Sequence, residues 1–155
     1  MTKSRLLTAV IDTNLLVSGL LTTRGLPHRL VERLREGAFI PVVSSPLLAE
    51  STAVLARPYL TRQFHVSSAI VDDLLLILTV RARQVTPVAP LPVAVRDSGD
   101  IMVLATALGG QADCLVTGDG DLLALRGHSA LGALRIVTAR EFLDMVAPGP
   151  ESRPA

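Results

Sequence analysis

Several residue types are scarce in this 155-residue chain, and each scarcity narrows what the protein can be. Its one cysteine, Cys114, cannot form an intramolecular disulfide, which is typical of proteins from a reducing compartment. No apolar run approaches the roughly 18 to 20 residues of a membrane-spanning helix. The apolar run at residues 6–11 is interrupted by Asp12 and does not look like a secretory signal. The sequence therefore predicts a soluble, cytoplasmic protein with no membrane association.

Aromatic residues and lysine are also scarce. The chain has no Trp, one Tyr and three Phe, which argues against the broad base-stacking surfaces of single-strand-binding proteins. Lys3 is the only lysine, and the formal net charge is +1. No global positive field marks a polyanionic partner. If nucleic acid binds, we expect it at a compact site.

What the chain does contain is an alternation of apolar runs with helical patterns. Pro27 suits a first helical turn and Gly37 a helix end, while Thr138 and Glu141 form a capping-box pattern. The dipeptide Arg57-Pro58 is expected to end a helix. Strands are predicted at residues 7–11, 39–43, 84–88, 114–117 and 135–137, and helices at 27–36, 44–56, 68–83, 97–108, near 122 and after 138.

This alternation predicts the fold class. Strands joined through helices form right-handed crossovers and a parallel sheet, and apolar strands without polar alternation indicate burial on both faces. We therefore predict a three-layer α/β/α sandwich with a central, mostly parallel sheet of about five strands. Residues 1–147 are expected to form a single domain. Residues 148–155, PGPESRPA, have the composition of a disordered tail.

Four acidic residues fall where such a sheet would gather them. Asp12 follows the first strand, Glu50 lies early in the helix after the second strand, and Asp119 follows the fourth strand. Asp100 lies in the first turn of the helix that leads to the fourth strand. The carboxyl ends of parallel strands share one edge, so these side chains should converge. Their mutual repulsion would be offset by a hard divalent cation, Mg²⁺ or Mn²⁺.

Each acid also has a purely structural explanation. Asp12 and Asp119 could form turns, as could Asp121, and Glu50 could be an ordinary exposed helical residue. Asp97 is interpreted as a helix N-cap. A phosphate-accepting, receiver-like domain is disfavoured, because it would need a lysine late in the sheet. The agreement of four positions favours the metal site.

The motifs that hold these acids resemble those of the PIN-domain family, in particular its VapC-like endoribonuclease toxins. The resemblance extends over residues 7–146. Its segments are AVIDTNLLVSGL at residues 9–20, SSPLLAESTAVLARP at 44–58, RDSGDIMVLATAL at 96–108 and LVTGDGDLL at 115–123. Relatives often carry a more acidic run where this chain has Ser98-Gly99-Asp100-Ile101. That leaves Asp100 as the third acid of the family's quartet.

The resemblance implies a metal-dependent endoribonuclease, the toxin of a toxin–antitoxin pair, with Mg²⁺ or Mn²⁺ as cofactor. The implied catalytic and metal-binding residues are Asp12, Glu50, Asp100 and Asp119. Supporting polar residues near the metal would be Asn14, Ser18 and Thr117, with Asp121 as a weaker candidate that could only shape the turn.

The resemblance also implies partners. RNA would be the substrate, and Arg24, Arg29, Arg57 and Arg62 are candidate contacts to its backbone, although a solvated surface explains any one of them better. A cognate antitoxin protein and a second copy of the chain are the expected protein partners. The apolar helix at residues 70–78 is expected to be mostly core, and part of it could form a surface for either. The alternative function is a catalytically inactive PIN scaffold that binds RNA or a protein.

Overall fold

The computed structural model describes residues 5–147, and in this range five strands form one parallel sheet. The strands are β1 (Thr8–Ile11), β2 (Ile40–Val43), β3 (Arg83–Gln84), β4 (Cys114–Val116) and β5 (Arg135–Val137). They are ordered β3-β2-β1-β4-β5, and each neighbouring pair is parallel. The predicted parallel sheet of about five strands is confirmed.

Helices cover both faces of this sheet. They are α1 (Thr13–Leu21), α2 (Leu26–Arg35), α3 (Ser45–Leu55), α4 (Pro58–Arg62), α5 (Ser68–Val80), α6 (Ser98–Gly109), α7 (Gly120–Leu123) and α8 (Ala139–Met145), with a 3₁₀ turn at Ser129–Leu131. One core cluster includes Leu34, Leu74 and Phe142 from α2, α5 and α8. A second includes Leu104 and Leu122 from α6 and α7. The three-layer sandwich is therefore confirmed.

The central strand β1 shows how the two cores share one sheet. Ala9 and Ile11 belong to the first cluster and Val10 to the second, as the two-residue repeat of a strand requires. Ala9 and Val10 have no exposed surface. Because both faces of β1 are buried, the strand is apolar from Ala9 until Asp12 ends it.

Three local elements differ from the predictions. Helix α1 was not predicted; the side chain of Asp12 caps it by accepting a hydrogen bond from the Asn14 backbone N–H. Pro58 ends the preceding helix as expected but also starts α4, because proline is well suited to a first helical turn. Strand β3 is Arg83–Gln84, shorter than the predicted 84–88. Pro87 lacks the N–H that continued pairing would need.

Two further predictions concern the C-terminal tail and membrane-spanning helices. The disordered tail predicted at residues 148–155 lies outside the described residues. Among residues 5–147, no helix combines the length and the apolar character needed to cross a bilayer.

A close approach of backbones at the end of α6 gives a stability prediction. A β-carbon on Gly109 would lie 1.9 Å from the carbonyl oxygen of Thr86. We expect Gly109→Ala to lower the free energy of unfolding by about 1–3 kcal/mol, because the backbone of residues 86–88 must move. Gly118→Ala is the control, since no atom beyond its two chain neighbours lies within 4 Å of its added β-carbon. Urea unfolding measures both, and equal midpoints would contradict the prediction.

Candidate metal centre

Asp12 follows β1 directly, and both of its carboxylate oxygens are held in place. Oδ1 accepts a hydrogen bond from the Asn14 backbone N–H at 3.2 Å, and Oδ2 accepts one from the Thr117 hydroxyl at 2.8 Å. The residue is only 8% exposed. An ionised carboxylate offers about four acceptor positions, so each oxygen can still take a further ligand.

Thr117 links the loop after β1 to the loop after β4. Its hydroxyl is completely buried and donates to Asp12 Oδ2, while it accepts a hydrogen bond from the Asp119 backbone N–H at 3.0 Å. One side chain thus sets the position of two acidic residues. This is the kind of supporting contact that orients metal ligands in proteins.

Three carboxylates meet beside this link. Asp100, Asp119 and Asp121 each offer an oxygen atom, and these atoms all lie within 4.8 Å of one another. Asp100 is buried, Asp119 is half-buried and Asp121 is exposed. Asp119 Oδ1 also accepts a hydrogen bond from the Asp121 backbone N–H at 2.8 Å. Asp121 therefore shapes the turn and also lies within the carboxylate group.

The electrostatics of the group centre on Asp100. Burial, followed by repulsion from Asp119, Asp97, Asp12 and Asp121, raises the pKa of Asp100 to about 6. Its Oδ2 atom is buried and has no hydrogen-bond partner among the described residues. Such an atom is costly to leave unsatisfied. A cation bound here would both satisfy this oxygen and offset the repulsion.

Glu50 lies at the rim of the site. It is exposed on α3 and falls outside the group of three carboxylates, as does Asp12. A β-carbon on Gly99 would lie 3.5 Å from Glu50 Oε1, so this carboxylate sits next to the start of α6, one residue before Asp100.

Two buried hydroxyl pairs hold α3 against its neighbours. Thr13 and Ser51 hydroxyls lie 2.9 Å apart and join α1 to α3, while Ser44 and Thr106 hydroxyls lie 2.8 Å apart and join α3 to α6. None of these four residues was predicted to support the site, and Ser44 was expected only to cap a helix. Thr13 directly follows Asp12 and Ser51 directly follows Glu50, and this adjacency is the sequence signal that could have identified the first pair. Together the pairs fix the helix that carries Glu50.

The other predicted residues divide between the site and the surface. Asp97 caps α6, since its Oδ1 accepts hydrogen bonds from the Gly99 and Asp100 backbone N–H groups at 2.8 and 3.1 Å. Asn14 touches the site through its backbone N–H, and Ser18 is an exposed residue of α1. The four candidate RNA contacts are all exposed, and their contact with RNA stays a prediction: Arg24, Arg29, Arg57 and Arg62.

The donor set indicates which ions would fit. Every side chain in the group of three is a carboxylate, and no histidine or cysteine joins it among residues 5–147. Carboxylate oxygens suit hard cations such as Mg²⁺ and Mn²⁺, whereas structural zinc sites draw on sulfur and imidazole.

Comparison with known proteins identifies the family of the chain. A family model described as the PIN domain matches residues 8–121. The crystal structure of VapBC2 from Rickettsia felis bound to a DNA fragment from their promoter aligns with a TM-score of 0.51 and 16% sequence identity. The alignment covers 84% of this chain and 98% of that one, and at such identity it supports the fold alone. No match was found among curated proteins. Because the family model covers well over half of its length, the chain belongs to the PIN-domain family.

Proposed function

We propose that this protein is a metal-dependent endoribonuclease that hydrolyses RNA phosphodiester bonds in the cytoplasm. One observation carries the proposal. Asp100 is buried with an unpartnered carboxylate oxygen, beside Asp119 and Asp121. In a protein that bound no cation here, the repulsion among these carboxylates would only destabilise the fold. PIN domains are in general metal-dependent nucleases, which matches the group's need for a cation.

The side chains of the site would have different roles in holding the ion. Asp12, Asp100 and Asp119 would bind Mg²⁺ or Mn²⁺, with Asp121 completing the carboxylate group. Held by these residues, the ion would supply Lewis-acid polarisation of the scissile phosphate and would lower the pKa of a water molecule. Thr117 keeps Asp12 in one orientation through its 2.8 Å hydrogen bond. Glu50, exposed at the rim, can accept a hydrogen bond from water that approaches the substrate phosphate.

Metal dependence is the direct test. We expect the purified protein to cleave RNA with Mg²⁺ or Mn²⁺ and to stop when EDTA removes the ion. Asp97→Asn is the matched control, because asparagine retains an oxygen that can cap α6 while one nearby charge is lost. The double variant Asp12→Asn/Asp100→Asn should be inactive. Equal cleavage by the double variant and the wild type would assign the activity to a contaminant. RNA binding without cleavage would favour the inactive scaffold instead.

We further propose that the protein is the toxin of a toxin–antitoxin pair. Support comes from the resemblance of its motifs to VapC-like toxins and from the fold it shares with VapBC2. An antitoxin or a second copy would find apolar surface on α5, where Leu76 and Val80 are 59% and 69% exposed. Co-expression with the product of the neighbouring reading frame should yield a complex with reduced cleavage. Unchanged cleavage would contradict the toxin role and leave the nuclease activity standing.

A further inference from the structure

A cleft opens beside the carboxylate group, and an arginine lies on its wall. The cleft measures about 340 Å³ and is lined by Ala94, Val95, Arg96 and Asp121. Asp121 belongs to the group with Asp100 and Asp119. The cleft is therefore continuous with the site through one of its acids. Its volume is near the lower end of the roughly 300–1,000 Å³ of ligand sites, so it suits a short segment of a chain.

Arg96 belongs to residues 91–96, a segment that packs against the core and forms one wall of the cleft. Leu91, Val93 and Val95 are partly buried and pack against the second core cluster, while Ala94 and Arg96 are exposed. This two-residue alternation is that of an extended segment with one face inward. The backbone at Arg96 is thus held in place, although its side chain faces solvent. A residue held in this way can contact a ligand without first ordering a loop.

The guanidinium of Arg96 has no acidic partner in the described part of the chain. Among residues 5–147 it makes no hydrogen bond or ion pair through its side chain, whereas Arg5, Arg35 and Arg126 pair with acidic residues. Arg96 lines the cleft together with one of the three carboxylates, Asp121, without pairing with it. A phosphodiester strand that approaches the same carboxylates carries one negative charge per phosphate, and an arginine fork matches a phosphate in charge and shape.

We propose that Arg96 binds a backbone phosphate of the substrate strand in this cleft and so positions the neighbouring phosphodiester at the carboxylate group. The inference rests on the proposed function, because it takes single-stranded RNA as the ligand. Arg96 is a positioning residue in this account. It lies outside the four arginines predicted from the sequence as RNA contacts.

Binding can be separated from cleavage by replacing Mg²⁺ with Ca²⁺, whose looser coordination suits ion binding without turnover. Fluorescence anisotropy with a labelled single-stranded RNA, checked by gel to be intact, gives the affinity at several salt concentrations. We expect Arg96→Gln to weaken binding about tenfold, as for loss of a charged hydrogen bond. The slope of log affinity against log salt should fall by about 0.7. Arg96→Lys should retain the slope, because it retains the charge.

Arg35→Gln is the matched control. Arg35 is exposed at the end of α2, its pair with Asp73 is a surface ion pair, and its loss removes the same charge. Its salt slope should equal that of the wild type. Equal affinity and slope for Arg96→Gln and wild type would overturn the inference and leave the proposed function intact. Failure of the wild type to bind or cleave RNA would overturn both.

Discussion

Asp100→Asn is expected to abolish RNA cleavage and, at the same time, to make the metal-free protein more stable at neutral pH. Loss of cleavage should be at least about a hundredfold, because a ligand to the ion is lost along with its negative charge. The gain in stability has a separate cause. The wild-type carboxylate is buried beside Asp119 and Asp121, and it must ionise there without a cation. An amide carries no charge and can donate to either neighbour.

The pH dependence follows from the direction of the pKa shift. The pKa of Asp100 rises from 3.8 to about 6 on folding, so the folded state holds its proton more tightly than the unfolded state. Wild-type stability therefore falls as pH rises from about 4 to about 6. Asp100→Asn removes this loss, a difference on the order of 3 kcal/mol at pH 7 that should nearly disappear by pH 4.

Thermal unfolding in EDTA at pH 4 and pH 7 measures this difference. Added Mn²⁺ should raise the melting temperature of the wild type but not that of Asp100→Asn, because only the wild type binds the ion in the native state. A variant that is less stable than wild type at pH 7, or that still responds to Mn²⁺, would contradict the account of Asp100.

Thr117→Val should lower cleavage about 10- to 100-fold, the usual effect of losing a residue that orients a metal ligand. The substitution fits the buried volume but removes the hydroxyl that holds Asp12 Oδ2 and the Asp119 backbone N–H. The loss should appear as weaker Mn²⁺ binding as well as slower cleavage. The Asp12 carboxylate would retain only the hydrogen bond from the Asn14 backbone N–H.

Thr8→Val provides a closely matched control at the opposite edge of the sheet. The Thr8 hydroxyl donates to Asp113 Oδ2 at 3.2 Å and accepts from the Asp113 backbone N–H at 3.0 Å, the same pair of contacts in a different place. Both variants should lose about 1–3 kcal/mol of stability. Only Thr117→Val should lose activity. Equal activity losses would mean that the effect at Thr117 comes from stability alone.

The sheet could be predicted from sequence because its signal is local. Each strand is a short apolar run, and the helices after β2 and before β4 begin with clear caps at Ser44 and Asp97. Helix α1 was missed because its sequence, TNLLVSGLL, is apolar on most sides and its cap, Asp12, could equally have been a turn residue. The short β3 was misplaced because its end is set by pairing with β2 and by Pro87, which periodicity does not report.

The site was predictable only in outline. The shared edge of a parallel sheet accounts for the proximity of Asp100 and Asp119, which the structure bears out. Distances within the edge depend on side-chain contacts between distant segments, such as Thr117 to Asp12. The sequence therefore could not show that Asp121 joins the group of three, or that Glu50 lies at the rim. Their roles in catalysis remain predictions for the variants above.

The strand order has a consequence for synthesis on the ribosome. β1 lies in the middle of the sheet, but β4, its neighbour on one side, begins only at Cys114. A nascent chain that has not yet reached β4 contains Asp12, Glu50 and Asp100 but lacks Thr117 and the acids that follow it. Because a domain generally folds as a unit, the sheet cannot close around β1 until β4 has emerged. The proposed site is therefore incomplete on a nascent chain until Thr117, Asp119 and Asp121 have left the ribosome.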